Sequence, residues 1–381
     1  MKKFIFPIFI CFLASAVSAF AQQQIASVMH TRHVITSQAL GEERTILVRT
    51  PPGYERSTQK FPVLVMLDAH SPQNGMMASI IESQAFAGTM PEMILVGIQN
   101  TNRTRDLTPT KTGRSDSGGG DKFLDFIGQE LLPFVDKNYR TEPYRIFAGH
   151  SLGGLTVVYA MTSRPHLFGG YIAASPVLHW DNNFVIKKSE ELFRANKDFK
   201  KSLFISLGNE PDYTAGFNNY KDLLKKTAPS GLDYEFQHWT DEDHGSVVMR
   251  TYLAGIRKVF SGWRIDSAVQ NLATLKNHYS KLSKRYGYEI KPPENIVNQF
   301  GYALLTSNKI DEAVEAFEAN ADLYPDSANV YDSLAEALEK KGVRSKALAN
   351  YEKAYKMAEQ KGEAQLARSA RAKFDRLSRD D

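Results

Sequence analysis

The sequence predicts an α/β domain built on a mostly parallel sheet flanked by helices, followed by an all-α helical repeat domain. Three observations carry that expectation. Buried-strand patterns alternate with helical ones as far as Arg264. The segment Gly149-His150-Ser151-Leu152-Gly153 joins an apolar run directly to a helical pattern. Beyond Arg264 the strand signals stop, and similar residues recur every 34 positions.

Residues 33–50 read as two strands, because β-branched and polar residues alternate on either side of Gly41-Glu42. Pro51-Pro52-Gly53 ends the pair. Residues 61–67, 93–98, 170–174 and 203–207 are continuous apolar runs of strand length, the pattern of strands buried on both faces. Residues 233–239 read as the last strand. Helical stretches lie between, notably 122–135 and 154–162. Alternation of this kind implies a sheet covered by helices on both sides, with ligands meeting the loops at the carboxyl ends of the strands.

After the sheet, residues 266–285 place Leu272, Leu275, Tyr279 and Leu282 at helical spacing, and Pro292-Pro293 breaks the chain. Residues 287–293 are therefore the expected linker. Gly301 and Ala335, Leu304 and Leu338, Ala313 and Ala347, and Phe317 and Tyr351 then repeat at a fixed interval, with Pro325 closing the first unit. This stretch resembles tetratricopeptide repeats over residues 295–358, followed by a capping helix to Leu377. Two repeats bury little surface alone, so they are expected to dock on the rest of the chain or on a second subunit. The expected organisation is a signal peptide over 1–21, an α/β domain over 22–265, a helical linker over 266–293 and a repeat domain over 294–381.

Lys2 and Lys3, an apolar run to Val17, and Ala19-Phe20-Ala21 are the three parts of a cleavable secretory signal. The run is too short to span a bilayer comfortably. Cleavage after Ala21 implies a periplasmic or secreted protein with no membrane span. It would also remove Cys11, the single cysteine of the 381-residue chain. Disulfides, cysteine catalysis and thiolate metal sites are then excluded. The same cleavage lowers the formal charge from +4 to +2, too small an excess for an electrostatic nucleic-acid partner. No histidine cluster has metal-site spacing, and no dinucleotide or phosphate-loop fingerprint occurs, so no cofactor is expected.

Ser151 lies on a strand-to-helix turn, which exposes its hydroxyl and sets the N–H of Leu152 at a helix start, where negative charge is stabilised. Gly149 and Gly153 are expected to relieve collisions across that turn. A serine nucleophile needs a histidine base, and the base needs a carboxylate to hold its tautomer. His244 is the candidate base, in the polar loop Thr240-Asp241-Glu242-Asp243-His244-Gly245-Ser246 after the last strand. His238, by contrast, falls inside that strand. The acid is expected on the loop after residues 203–207, where Glu210 is preferred and Asp212 is the alternative. The second oxyanion donor is expected from the turn after residues 61–67, through the main-chain N–H of His70, with Asp68 structural.

Together, Leu67-Asp68-Ala69, Arg103-Thr104-Arg105-Asp106-Leu107-Thr108-Pro109, Gly149-His150-Ser151-Leu152-Gly153-Gly154, Ser175-Pro176 with Trp180, Gly208-Asn209-Glu210 and His244-Gly245-Ser246 resemble an esterase family of α/β-hydrolases. That family includes siderophore (enterochelin-type) and esterase D-like enzymes, feruloyl and acetyl-xylan esterases, and mycolyltransferases. The resemblance covers residues 30–263 and is nearest to the siderophore branch. It implies an α/β-hydrolase fold and hydrolysis of a small-molecule or glycan-linked ester through a seryl ester. Ala69 departs from the more usual glycine. Arg103 and Arg105 are candidate receivers of an anionic or catechol-bearing group, with bracing of the loop through Asp106 as the other reading of Arg105. Trp180 is a candidate pocket wall or a structural aromatic. Two other functions use the same residues differently. One is acyl transfer to an alcohol; the other is a scaffold whose repeats bind a protein partner or self-associate.

Overall fold

A computed structural model describes residues 30–56, 58–70, 72–265 and 271–379. The expected signal peptide, and the first five residues of the helix expected from 266, lie outside the described residues.

The strands β1 (Thr31–Ser37) and β2 (Glu42–Arg49) pair antiparallel around the Gly41 turn. With β3 (Phe61–Met66), β4 (Ile94–Ile98), β5 (Thr141–His150), β6 (Gly170–Ala174), β7 (Asp198–Leu207) and β8 (Ser230–His238), they form one eight-stranded sheet. Its order is β1-β2-β4-β3-β5-β6-β7-β8. Only β1–β2 and β2–β4 are antiparallel; every later pair is parallel. Alternate side chains serve opposite faces, and both faces are buried. Val63, Val65, Phe147 and Ile205 belong to one apolar cluster, and Leu64, Met66, Ile146 and Phe204 to the other. This is why the central strands read as unbroken apolar runs.

The first face packs against α2 (Arg103–Leu107), α3 (Gly120–Asp125), α4 (Leu132–Asn138), α5 (Leu152–Ser163), α6 (Trp180–Ala195) and α7 (Pro211–Thr227). The second packs against α1 (Gln73–Phe86) and α8 (Val247–Val259). The helix expected over 122–135 is not uniform: a π-helical turn, Phe126–Leu131, separates α3 from α4. Pro133, in the first turn of α4, cannot donate the next helical hydrogen bond, which favours the change of register.

The remaining helices are α9 (Leu272–Tyr286), α10 (Glu294–Thr306), α11 (Ile310–Leu323), α12 (Ala328–Lys340), α13 (Arg344–Gln360) and α14 (Ala364–Arg379). The C-terminal region is thus wholly helical. Gly301 of α10 admits the ring of Phe317 from α11; a Cβ there would lie 2.6 Å from that ring. One buried apolar cluster runs from Ile172 and Phe204 through Phe260 and Tyr286 to Val297, Phe317 and Tyr351. Tyr286 is the joint. Its ring meets Tyr144 edge-on at 4.9 Å and Phe260 at 5.4 Å, and its hydroxyl donates to the Val259 carbonyl at 3.0 Å. Helix α9 therefore meets β5 through Tyr144 and the end of α8 through Val259 and Phe260.

Candidate active site

β5 ends at His150 and α5 begins at Leu152, leaving Ser151 alone on the turn with φ 61° and ψ −117°. For a residue with a Cβ this conformation is strained. It is fixed from both sides: the Ser151 N–H donates to the Ala174 carbonyl at 2.9 Å, and its carbonyl accepts from Leu155 at 3.0 Å. A Cβ on Gly149 would lie 2.5 Å from the Gly153 carbonyl oxygen, and one on Gly154 3.0 Å from the Ala174 carbonyl oxygen. A Cβ on Gly153 would meet only ordinary contacts, the nearest at 3.4 Å from Leu67. The turn therefore needs Gly149 and Gly154 for space, a correction to the expected pair of Gly149 and Gly153.

The loops after β7 and β8 bring Glu210 to His244. Glu210 is the buried N-cap residue of α7, and its Oε1 meets Nδ1 of His244. Asp212, two residues further on, is exposed. The other oxygen of Glu210 accepts the Gly208 N–H at 3.0 Å and the hydroxyl of Ser175. His238 instead lies against the Gly208 carbonyl at 3.1 Å. The three acids before His244 shape its loop. Asp243 accepts the N–H groups of Gly245 and Ser246 at 2.8 and 2.7 Å, and Asp241 and Glu242 pair with Arg250.

His244 lies within a short ladder of rings. It is 4.4 Å from His150, the residue preceding Ser151, and 5.2 Å from Tyr213, which is 5.2 Å from His179. His150 is buried, and its Nε2 has no hydrogen-bond partner among the described residues. Burial first, and then the charge of His244, push its pKa down to about 4. It is therefore neutral at ordinary pH and sets no positive charge against His244.

Asp68, after β3, also has a positive φ of 59° and is buried. Burial alone would raise its pKa, but hydrogen bonds and charge from Arg103, with help from Asn100, hold it below the usual carboxylate value. Arg103 grips Asp68 with two bonds of 2.8 and 3.0 Å and reaches the carbonyl of His150 at 3.2 Å. Arg105 is committed elsewhere, to Asp106 at 2.7 Å and to Glu42 at 2.7 and 3.1 Å. Trp180 donates its indole N–H to Thr110 at 3.1 Å and packs on the sheet's first face. His70 is exposed on the turn after β3, while the Ala69 N–H is spent on the Ile98 carbonyl at 3.0 Å. Among the described residues no cluster of three or more His, Cys, Asp or Glu is placed to hold a metal ion.

Sequence reasoning gave no site role to His150, Ser175, Gly208 or Tyr213. Ser175 and Gly208 were visible in the motifs, but their bonds to Glu210 depend on how β6 and β7 lie side by side.

A hydroxyl on a strained turn, with an imidazole held by a carboxylate on adjoining loops, is the equipment of an acyl hydrolase. The sheet around it has the strand order and connections of the α/β-hydrolase class. Comparison with known proteins narrows this. A family model described as "Putative esterase" matches residues 37–206. The ferri-bacillibactin esterase of Bacillus subtilis is 29% identical over 221 residues, which cover 49% of this chain and 75% of that enzyme. The siderophore enterobactin esterase of Emericella nidulans is 28% identical over 170 residues, covering 36% and 55%. An IroE-like serine hydrolase from Shewanella oneidensis superposes with a TM-score of 0.68 at 30% identity, covering 78% of this chain and all of that one. A Capnocytophaga ochracea protein of uncharacterised function shares the fold over 92% of this chain, with a TM-score of 0.69 at 17% identity. The chain belongs to this esterase family of α/β-hydrolases and is a carboxylic ester hydrolase.

Proposed function

We propose that the protein is an exported serine esterase acting on a siderophore-type or carbohydrate-linked ester through a Ser151-His244-Glu210 triad. The observation that carries this reading is the Glu210 carboxylate against Nδ1 of His244. With Nδ1 protonated and held there, Nε2 is left as the base. Ser151 Oγ attacks the ester carbonyl and passes its proton to Nε2 of His244, and the resulting imidazolium is stabilised by Glu210. The proton then goes to the departing alcohol as the acyl–serine ester forms. Water, deprotonated by the same nitrogen, releases the acid and restores Ser151.

The oxyanion is assigned to the N–H groups of Leu152 and His70. Leu152 opens the 12-residue helix α5, whose first-turn N–H groups have no partner within the helix. Ala69 is already donating to Ile98, so the next N–H along that turn is His70's. Arg103 and Trp180 are assigned to the substrate side of the site, and Arg105 to bracing it. The relatives that hydrolyse siderophore esters support the substrate class. Export rests on the signal-like residues 1–21. The division into an α/β domain over 22–265, a linker over 266–293 and tetratricopeptide-like repeats over 294–381 is part of the same reading.

Hydrolysis of p-nitrophenyl esters, a feruloyl ester and a catecholate trilactone by wild type and Ser151→Ala tests the mechanism. A loss of at least about a thousandfold in the variant is expected. Equal activity of the two proteins would overturn it. Acyl transfer to added alcohol in place of hydrolysis would make the enzyme a transferase. An intact Met1 on protein from the native host would end the export proposal.

A further inference from the structure

Ser175 stands at the end of β6, fully buried, in a backbone conformation that serine rarely adopts, φ 39°. The conformation is held by its N–H, which donates to the Ser206 carbonyl at 3.0 Å, and by Pro176 packed over Gly154. Its hydroxyl has two neighbours. The Gly208 N–H approaches it at 3.4 Å and can only donate, so the hydroxyl proton is left to point at Oε2 of Glu210. Gly208 also donates to Oε2 at 3.0 Å. The carboxylate is therefore held at both ends, His244 on Oε1 and the Ser175–Gly208 pair on Oε2.

We infer that Ser175 is a positioning residue of the esterase: its hydroxyl fixes the plane of the Glu210 carboxylate so that Oε1 stays aimed at His244. This rests on the triad reading above and deepens it. A buried serine with only a local role bonds to its own turn or helix. This one spans 35 positions of sequence to reach a carboxylate. A hydrogen bond to a charged acceptor is also stronger and more directional than one to a neutral group. Without the hydroxyl, Oε2 keeps a single donor, the carboxylate can turn about its last bond, and His244 loses a steady partner when its ring becomes charged. Substrate does not touch Ser175, so binding is unaffected.

The test compares Ser175→Ala and Ser175→Gly with wild type on one p-nitrophenyl ester, each corrected for the fraction of Ser151 that a fluorophosphonate labels. Both variants lack the hydroxyl, but only glycine adopts the positive φ without strain, so a shared deficit belongs to the hydroxyl. The expected result is kcat lower by about 10- to 100-fold in both, with KM unchanged. The downfield proton NMR line expected in wild type for the His244–Glu210 hydrogen bond should broaden or vanish in both. Full kcat with the line retained would overturn the inference, as would a deficit in the alanine variant alone. Glu210→Gln and His244→Ala are measured alongside. If they stay fully active, the triad reading fails and takes this inference with it; if they are crippled while both Ser175 variants are not, only the inference fails.

Discussion

The loops at the carboxyl ends of the strands and the C-terminal helices place their irregular backbone very differently. Asp68, Ser151 and Ser175, and the run Asp181, Asn182 and Asn183 beside Trp180, all have positive φ. Across the helices from α10 to α14 the one described non-glycine residue with positive φ is Asn308, in the loop between α10 and α11. Each such residue costs about 1–3 kcal/mol and persists only where its surroundings over-determine it. For Ser151 and Ser175 the surroundings are the buried sheet on one side and hydrogen bonds to the neighbouring strands β6 and β7 on the other. Irregular backbone is gathered where a side chain must be aimed, and the helical region, free of that demand, follows regular packing.

The sharpest way to separate aim from stability is to change Ser151 itself. Ser151→Gly is expected to lose at least about a thousandfold in kcat/KM, yet to unfold at higher denaturant, with a gain of about 1 kcal/mol from relieved strain. A glycine variant no more stable than wild type would show that the turn is not strained after all. The opposite case is Phe317, buried between α10 and α11 against Gly301. Phe317→Ala should cost about 3–5 kcal/mol in urea unfolding, with kcat per labelled active site unchanged at a temperature where the variant is folded. A drop in kcat would mean that the continuous core through Tyr286 couples the helices to the site.

The same contrast explains what could be read from the sequence. The runs at 61–67, 93–98 and 170–174 were legible because a strand buried on both faces must be apolar throughout. The meeting of Glu210 with His244 was legible because chain order and a short loop after each strand restrict where a carboxylate can reach an imidazole. The glycine pair was read only in part: Gly153 looks equivalent to Gly154, and only the approach of the Ala174 carbonyl and of Pro176 distinguishes them. His150 and Ser175 were not legible as parts of the site. Their partners come from the loops after β8 and β7, and nothing in local periodicity encodes which rotamer meets which loop. The π-helical turn before Pro133 was hidden for a related reason, since a change of hydrogen-bond register leaves the apolar spacing almost intact.

His150 offers a smaller effect with a definite sign. Burial and the neighbouring charge of His244 lower its pKa from 6.5 to about 4 in the folded chain. Between those values the unfolded chain binds the extra proton, so stability rises with pH through the window and is lost as pH falls from 6.5 toward 4. The amount is about 3 kcal/mol at the acid end. His150→Gln removes the titrating group. Melting temperatures at pH 7 and pH 4.5 should differ less for the variant than for wild type. An equal acid sensitivity would place the titration elsewhere, in carboxylates such as Asp68 whose lowered pKa acts in the same direction.

Arg105 and Arg103 lie two residues apart on one short helix, and they separate bracing from recognition with the smallest effect. The side-chain N–H groups of Arg105 bind the protein's own acids, Asp106 and Glu42, and Glu42 is held down at about 2, in the first place by Arg105 itself. Arg44, buried beside them, also bonds to Asp106 at 2.5 Å, so Asp106 keeps a counter-ion if Arg105 is removed. The pair with Glu42 is partly open to solvent and screened. Arg105→Ala should therefore lower stability by only about 1 kcal/mol and leave KM within about threefold of wild type. In Arg103 the Nη1 nitrogen makes no hydrogen bond among the described residues, while Nε and Nη2 hold Asp68 and the carbonyl just before Ser151. A KM raised tenfold or more in Arg105→Ala would reverse the assignment, because a residue that only braces a loop makes no contact that a substrate can lose.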